Sequence, residues 1–313
     1  MRRHDHRPTA RLSILMGTLN GSDFLSEQLQ SIAEQGGVRW DLTVSDDGSR
    51  DDTLALVRMF ADQHPGRVRI VAGPGGGFAA NYLSMLAALP PAPGPVALSD
   101  QDDVWFPGRL CRALDMLAVC GEGPVLYCAD RLLWVQDRDV VRPERRGAVR
   151  PSFRNALIEN IVGGNTIVLN PAAARIARAS APKAGGVFAH DWWLYQLISG
   201  VGGQVIFDPE PALLYRQHAG NALGAGLGVQ AWIARKTGVL RGDFRAKVDR
   251  QVAALDAAAS LLTAESRFVL SRFRAARRLP ASERVRALRG LDLYRQTRCA
   301  TLGFWGAVAL GRA

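Results

Sequence analysis

The sequence predicts an α/β protein whose mostly parallel sheet is flanked by helices, with a helical region at its C-terminal end. Three observations support this prediction. Short apolar runs alternate with helical patterns in the first half, as they do in successive β-α-β units. Strand patterns stop after residue 228, where only helical spacing continues. The 313 residues are 48% hydrophobic, which is enough for a sizeable core and excludes a disordered or fibrous protein.

Five strands are expected in the first half, each visible as a short apolar run. They cover residues 12–18, 41–47, 68–73, 95–100 and 124–130. Residues 24–35, after the first strand, carry apolar side chains at three- and four-residue steps, which predicts an amphipathic helix. Further helices are expected after the second, third and fourth strands, and the last of these starts near Pro107.

The regular alternation ends after the fifth strand. Residues 136–154 are dense in Arg, Asp and Pro, which predicts an exposed loop. A strand over residues 163–170, a helix from His190 and two short strands within residues 205–218 follow. Beyond residue 228 the spacing of apolar residues predicts amphipathic helices.

Charge is distributed unevenly along the chain. The 39 basic and 29 acidic residues give a net charge of +10, but residues 229–313 alone carry +11 and residues 1–228 carry −1. We therefore expect an α/β domain over residues 11–228 and a basic helical region over residues 229–313. The excess of arginine over lysine, 36 against 3, is attributed to genomic codon bias. Codon bias does not explain the segregation of charge, which favours an anionic partner such as a membrane surface or nucleic acid.

Targeting and redox features point to the cytoplasm. No apolar run reaches the roughly 18 residues that a membrane span needs, and the stretch Thr301–Gly311 is too short. No secretory signal pattern is expected at the N-terminus, because the apolar stretch there is brief and no small-residue cleavage site follows. The four cysteines lack metal-binding spacing and are expected to be reduced thiols.

Carboxylates gather where two predicted strands end. Asp46 and Asp47 end the second strand. Asp100, Asp102 and Asp103 lie at and just after the end of the fourth. Ligands bind outside the carboxyl ends of strands in an open α/β sheet, and carboxylates there can hold a divalent cation that partners substrate phosphates. Acidic turns are common and most are only solvated, so the position after a buried strand is what favours a metal site.

Three segments in order, residues 12–32, 42–53 and 97–110, carry a family resemblance. Together they resemble the nucleotide-sugar-dependent glycosyltransferases of family 2, in particular the rhamnosyltransferase-like bacterial branch. The resemblance covers residues 11–221, and three motifs at proper spacing are more specific than any one of them. It implies a GT-A fold that holds a nucleoside diphosphate sugar together with Mg²⁺ or Mn²⁺.

The resemblance also implies a site for the nucleotide sugar. Its expected members are Thr18, Asn20, Gly21, Asp46, Asp47, Gly77, Asn81, Asp100 and Arg216. Asp47, with Asp46 beside it, matches the acid that binds the base or ribose, and Arg216 could balance phosphate charge. The stretch around Gly77 is equally typical of a glycine-rich helix start. The family often has an aromatic residue where this chain has Leu19, so the sequence does not name the base.

The implied metal ligands are Asp102 and Asp100, with Asp102 the direct one and His218 as a further candidate. Asp191 matches the catalytic base of the family. An inverting transfer needs a carboxylate that takes the proton of the acceptor hydroxyl. The alternative interpretation of Asp191 is a helix cap.

The acceptor side is expected to include Gly163, Gly164, Asn165 and Trp192. The two glycines would either admit a ligand or relieve crowding within the sheet. Trp192 and Trp193 could stack on a sugar ring, and we expect one of the two to be core.

We therefore expect an inverting glycosyltransferase that moves a sugar, with rhamnose as the candidate, from a nucleoside diphosphate sugar to a glycan or lipid-linked acceptor in cell-surface polysaccharide synthesis. A sugar-nucleotide nucleotidyltransferase would carry basic residues after its first loop, but GTLNGSD has none and all three lysines follow residue 180. A non-catalytic membrane- or nucleic-acid-binding protein would not need the acids of the site, and no nucleic-acid-binding module is recognisable. The basic region with its apolar stretch 302–310 predicts peripheral contact with the anionic inner face of the cell membrane.

Overall fold

The computed structural model describes residues 11–136, 140–144, 149–218 and 243–312. The strands are β1 (Arg11–Thr18), β2 (Arg39–Asp46), β3 (Val68–Ala72), β4 (Val96–Ser99), β5 (Val104–Trp105), β6 (Val125–Val135), β7 (Val140–Pro143), β8 (Val168–Leu169) and β9 (Gln204–Arg216). The helices are α1 (Ser22–Ala33), α2 (Thr53–Gln63), α3 (Phe78–Ala87), α4 (Arg109–Ala118), α5 (Phe153–Ala156), α6 (Pro171–Ser180), α7 (His190–Gly200), α8 (Asp243–Ala257), α9 (Ala264–Arg277), α10 (Ala281–Arg289) and α11 (Arg298–Ala309).

The described strands form one mixed sheet in the order β3-β2-β1-β4-β8-β6-β9-β5, and β7 pairs with β6. The first four strands along the chain pair in parallel, whereas β8 runs antiparallel to both of its neighbours. In the register of β1 and β2, Thr18 lies opposite Asp46. The carboxyl ends of β1, β2 and β4 therefore meet at one edge, where the expected site residues come together.

Helices cover both faces of the sheet, which explains why β1 is an almost continuous apolar run. Leu12, Ile14 and Met16 pack against α1, α2 and α4, while Leu15 points to the opposite face. Alternate residues of a strand face opposite sides, so a strand buried on both sides needs apolar residues at every position. The opposite face is covered by α3, α6 and α7.

Three parts of the chain differ from the sequence-based expectation. Residues 136–154 are not only a loop, because they include β7 and α5. The strand expected over 163–170 is a 3₁₀ turn, Gly164–Thr166, followed by the two-residue strand β8. The two short strands expected within 205–218 are the single strand β9. An irregular register beside Ala129 and Asp130 of β6 accommodates the two prolines of β9, and regular pairing resumes beyond them.

The C-terminal helices are built into the core. Val248 and Val252 of α8 and Phe273 of α9 belong to the same buried cluster as Leu194 of α7. The boundary expected at residue 228 lies outside the described residues. None of the described helices combines the length and the apolar character that a membrane span requires.

Candidate active site

Asp46 shapes the turn that follows β2. Its buried carboxylate accepts hydrogen bonds from the Thr18 hydroxyl at 2.9 Å and from the backbone amides of Gly48 and Ser49 at 3.2 and 2.9 Å. The Ser49 hydroxyl also donates to it, at 2.5 Å. Asp46 and Thr18, both expected to contact the nucleotide, are thus engaged with each other and hold the ends of β1 and β2 together.

Asp47 connects β2 to the glycine-rich loop before α3. Its carboxylate accepts from the amide of Gly75 at 2.6 Å and from the amide of Gly77 at 2.9 Å. Gly77 has a φ of 82°, a conformation that favours glycine, and α3 starts directly after it. A Cβ at Gly73 would lie 2.6 Å from Asp47 Oδ1. The loop therefore wraps closely around this carboxylate because glycines line it.

Gln101, which the sequence analysis did not single out, joins the loop after β1 to the loop after β4 that carries the acids. The side chain of Gln101 accepts from the Leu19 amide at 2.9 Å and donates to the Leu19 carbonyl at 3.1 Å. The next residue, Asn20, has a φ of 47°, and its backbone N–H donates a hydrogen bond to Ser49 Oγ. A Cβ at Gly21 would lie 2.3 Å from Gln101 Oε1, so a larger residue there would displace the Gln101 side chain from Leu19. Leu19 itself is 46% exposed.

Three carboxylates converge after β4. Asp100, Asp102 and Asp103 each place an oxygen within 4.8 Å of the others. Burial, reinforced by the charge of Asp102, raises the pKa of Asp100 to about 7, and the same two causes hold the pKa of Asp103 well above its usual value. Clustered hard oxygen ligands with unrelieved negative charge are the chemistry that suits Mg²⁺ or Mn²⁺. The donor set therefore fits the expected divalent cation.

His218 lies at this cluster, as the sequence suggested. Its Nε2 is 2.8 Å from Asp102 Oδ2, and its ring packs on Phe24 with centroids 4.4 Å apart. Two members of the expected metal set, Asp102 in the loop after β4 and His218 just after β9, are thus in contact. His218 is the last described residue before the gap at 219–242.

Arg216 has a different position from the phosphate contact that we expected. Its guanidinium is buried and donates to the Asp102 carbonyl at 3.0 Å, to Gln136 Oε1 at 2.5 Å and to Glu27 Oε2 at 2.5 Å. The guanidinium also lies over the ring of Trp134. The geometry makes Arg216 a positioning residue, because it fixes the main chain of the residue expected to bind the metal.

A half-buried arginine, Arg131 of β6, was missed by the sequence analysis and supports the acidic cluster. Arg131 donates to Glu144 at 2.6 Å and to Asn165 Oδ1 at 3.0 Å. Asn165 in turn donates to Asp103 at 2.7 Å. A Cβ at Gly163 would lie 2.9 Å from Arg131 Nη1, so this glycine relieves crowding by a protein side chain. The only signal in the sequence was a charged residue directly after the fifth predicted strand.

Asp191 lies in the first turn of α7, at the same edge of the sheet. Its charge contributes to the raised pKa of Asp100, after burial and Asp102. The N-cap of the helix is Ala189, and the Asp191 carboxylate accepts a hydrogen bond from the Trp192 amide at 2.6 Å. A Cβ at Gly164 would lie 3.4 Å from Asp191 Cβ, which places the acceptor-side loop beside it. Asp191 does not occupy the capping position that the alternative interpretation required.

His190 links Asp191 to the acidic cluster through an aromatic stack. Its buried ring lies on Tyr82 with centroids 4.0 Å apart, and neither ring nitrogen has a hydrogen-bond partner. Burial lowers the pKa of His190 to about 4, so the imidazole is neutral at pH 7. The Tyr82 hydroxyl lies 2.9 Å from Asp100 Oδ1. His190, the neighbour of Asp191, is therefore packed against Tyr82, which contacts Asp100 of the acidic cluster.

Two expected site residues are buried among protein groups. Trp192 is 5% exposed, donates its indole N–H to the Ala156 carbonyl at 2.7 Å and stacks on Phe244. Its neighbour Trp193 is fully buried, so both tryptophans belong to the core and neither offers an open ring face. Asn81, also buried, donates to the Ser45 carbonyl at 2.8 Å and braces β2.

Comparison with known proteins identifies the family. The family described as Glycosyl transferase family 2 matches residues 13–180, more than half of the chain. A dTDP-rhamnosyl transferase of Shigella flexneri, RfbG, is 27% identical over 253 residues, which is 76% of this chain and 83% of that protein. A glucosyltransferase of Escherichia coli, WfgD, is 30% identical over 34% of this chain. That match spans 40% of the WfgD length.

Two solved structures share the architecture. A crystal structure of S. aureus TarS 1-349 in complex with UDP-GlcNAc aligns with a TM-score of 0.53 and 12% identity, over 96% of this chain and 90% of that one. The mannosyltransferase PcManGT of Pyrobaculum calidifontis, in complex with GDP-Man and Mn²⁺, aligns with a TM-score of 0.50 and 21% identity, over 97% of this chain and 87% of that one. These likenesses concern the fold, which is GT-A in each case. The chain belongs to glycosyl transferase family 2 and is a glycosyltransferase with a GT-A fold.

Proposed function

We propose that this enzyme transfers a sugar from a nucleoside diphosphate sugar to a glycan or lipid-linked acceptor, with inversion at the anomeric carbon, in cell-surface polysaccharide synthesis. The observation that carries the proposal is the meeting of the acidic cluster Asp100, Asp102 and Asp103 with Asp191 at one edge of the sheet. Rhamnose is our candidate sugar, on the strength of the RfbG similarity and the motif resemblance. Glucose appears in the name of WfgD, so the donor remains to be tested.

Asp102 and Asp100, with His218 beside them, are the residues that would hold Mg²⁺ or Mn²⁺. A bound cation would neutralise the charge that develops on the departing diphosphate. The Mn²⁺ named in the PcManGT structure supports a metal in this enzyme too. Arg216 would keep the Asp102 main chain in place, and Gln101 would couple that loop to the loop expected at the nucleotide.

Asp191 would act as the general base in a single displacement. The acceptor oxygen attacks the anomeric carbon, the bond from that carbon to the diphosphate oxygen breaks, and the acceptor proton passes to the Asp191 carboxylate. One carboxylate on the acceptor side is sufficient for this route, and the attacking oxygen and the leaving group lie on opposite faces of the sugar. Inversion of the anomeric configuration follows.

A donor screen tests the proposal. Purified enzyme is incubated with UDP-, dTDP- and GDP-sugars in Mg²⁺ or Mn²⁺, and release of nucleoside diphosphate is followed with heat-inactivated enzyme as the control. We expect release from one donor class, with dTDP-rhamnose as the leading candidate, and an inverted anomeric configuration in any product examined by NMR. Absence of release with every donor, or retention of configuration, would contradict the proposal.

We also propose that α11 mediates peripheral contact with an anionic membrane. Leu302 and Leu310 are 71% and 66% exposed on one side of this helix, whereas Phe304 and Val308 on the other side are buried. Arg286 and Arg289 are exposed on α10, which contacts α11. Arg272 and Arg274 are exposed on α9, where Arg274 pairs with Asp256, and Arg278 is exposed directly after α9. An exposed apolar helix face with neighbouring cations is typical of helices that lie in a membrane interface.

The membrane proposal predicts that Leu302→Glu with Leu310→Glu weakens binding to anionic vesicles by about tenfold or more, because apolar contact is lost and each near-surface charge is worth about 1 kcal/mol. Met59→Glu with Val119→Glu, two exposed apolar residues elsewhere, is the matched control. Co-sedimentation is measured with neutral and anionic vesicles at low and high salt. Equal binding by both double variants, or no binding by the unmodified enzyme, would contradict a membrane role for α11.

A further inference from the structure

A cavity of about 430 Å³ lies between α3 and the segment that leads into α7. One wall comes from α3, the opposite wall from residues 181–188, and Arg250 of α8 closes one side. We name this cavity the α3–α8 groove. Its volume is within the range of about 300–1,000 Å³ that is usual for small-molecule pockets. Apart from Gly77, none of its lining residues has a place in the site described above.

The walls of the groove are mainly apolar. From α3, the lining includes Ala80, Leu83 and Ala87, which lie at helical spacing on one face. Ala80 and Ala87 are only half-buried, and their small side chains leave the groove open. Val187 and Phe188 line the opposite wall. A groove of this kind accepts a hydrocarbon chain, because burial of apolar surface on both sides is favourable.

Three cations lie in or contact the wall formed by residues 181–188. Lys247 places its ammonium 4.4 Å from the centre of the Phe188 ring, and Lys183 is exposed directly after a lining residue. Arg250 donates to the carbonyls of residues 186 and 187 at 2.6 and 2.9 Å, so it also holds the wall in place. Asp249, the acid nearest to Arg250 on α8, pairs with Arg277 at 2.6 Å. Lys183 thus belongs to the segment that forms this wall, and Lys247 contacts Phe188 of the same wall.

The groove reaches the edge of the sheet that carries the catalytic candidates. Gly77, at one end of the lining, donates its amide to Asp47. Phe78, also in the lining, meets His190 edge-on with ring centroids 5.9 Å apart, and His190 precedes Asp191. One end of the groove thus lies beside His190, the residue that precedes the proposed general base.

We propose that the α3–α8 groove binds the lipid part of the acceptor, with the hydrocarbon chain between the walls and its phosphate near Lys183 and Lys247. Lysine ammonium groups bind phosphate as point charges, and the apolar walls select an amphiphile over a free glycan. The inference rests on the proposed function and deepens it, because it names a lipid phosphate as the acceptor class and gives its place in the fold.

Calorimetric titration of the full chain with farnesyl diphosphate tests the groove. The titrations are done in chelator, so that no metal recruits diphosphate, and below the critical micelle concentration of the probe. Farnesol and inorganic diphosphate are titrated separately. We expect farnesyl diphosphate to bind at least tenfold more tightly than either, because only this probe engages both walls and cations.

Variants locate the binding. Ala87→Trp fills the groove and should weaken binding of farnesyl diphosphate at least tenfold, and the milder Ala87→Leu should weaken it less. Ala275→Trp, at an exposed position of α9, is the control for the bulky side chain. Lys183→Ala with Lys247→Ala should cause a loss similar to that of Ala87→Trp, while Arg272→Ala with Arg286→Ala removes the same charge elsewhere. Thermal unfolding confirms that each variant is folded.

Several results would overturn the inference. Unchanged binding in both Ala87 variants would show that the probe binds outside the groove. Equal affinity for farnesol and farnesyl diphosphate would show that the phosphate contributes nothing to binding, which contradicts the proposed role of the lysines. Wild-type enzyme that binds farnesyl diphosphate through the groove but releases nucleoside diphosphate from no donor would support the groove and contradict the proposed function. Wild-type enzyme that hydrolyses a donor but does not bind farnesyl diphosphate would support the proposed function and contradict the groove as a lipid site.

Discussion

Asp102→Asn should reduce turnover by about 10²-fold or more, which corresponds to roughly 3 kcal/mol or more of lost transition-state stabilisation. The amide keeps the shape of the side chain but removes one of the negative charges that would hold the cation. Asp102 also contacts His218, so the substitution disturbs a second member of the expected metal set as well. Wild-type turnover should likewise disappear in chelator and return when Mn²⁺ or Mg²⁺ is added.

The stability of the variant separates a metal role from a structural one. Asp102 lies within a cluster of like charges, so removal of its charge relieves repulsion when no cation is present. The melting temperature of metal-free Asp102→Asn should therefore not fall, whereas the increase in melting temperature on addition of Mn²⁺ should be smaller than in the wild type. Asp115→Asn, at an exposed position of α4, is the matched control and should behave as wild type. Full wild-type activity in chelator would contradict the assignment.

Asp191→Asn should lower turnover by about 10²–10⁴-fold, the usual cost of removing a general base. Asparagine can still accept the hydrogen bond from the Trp192 amide but cannot take a proton at neutral pH. Donor affinity should stay unchanged, because the residue is proposed to act on the acceptor hydroxyl. Turnover, donor affinity and melting temperature are measured on the same preparation.

A purely structural role predicts the opposite pattern for Asp191. Loss of a helix cap typically costs about 1 kcal/mol of stability and leaves the rate of chemistry intact. Glu283→Gln, which changes an exposed acid in the first turn of α10, provides the matched control. Near-normal turnover with a lowered melting temperature in Asp191→Asn would show that Asp191 serves the helix and not the reaction.

The parallel half of the fold and the location of the acids could be predicted from the sequence. β1 and β4 contribute to both buried clusters and are apolar runs, whereas β2 alternates and buries Trp40, Leu42 and Val44 on one face. The acids that follow β2 and β4 mark where these strands end. Parallel strands bring their carboxyl ends to a common edge, so this local pattern was sufficient to place Asp47 and Asp102 at the same edge of the sheet. The position of Asp191 at a helix start was equally local, and the structure confirms that helix.

The roles of the buried cations could only be decided by the tertiary structure. Arg216 takes its partners from α1, from the Asp102 main chain and from the end of β6, segments that lie between 80 and 189 residues away in the chain. Arg131 likewise depends on the acceptor-side loop 34 residues further along. A charged side chain is buried only where the fold brings counter-charges and hydrogen-bond acceptors to it. These partners are distant in the chain, so no local sequence pattern predicts them. The local sequence pattern was therefore sufficient to predict which residues lie at the carboxyl edge of the sheet. Three-dimensional packing decided which of these side chains remain open to a ligand and which hold the others in place.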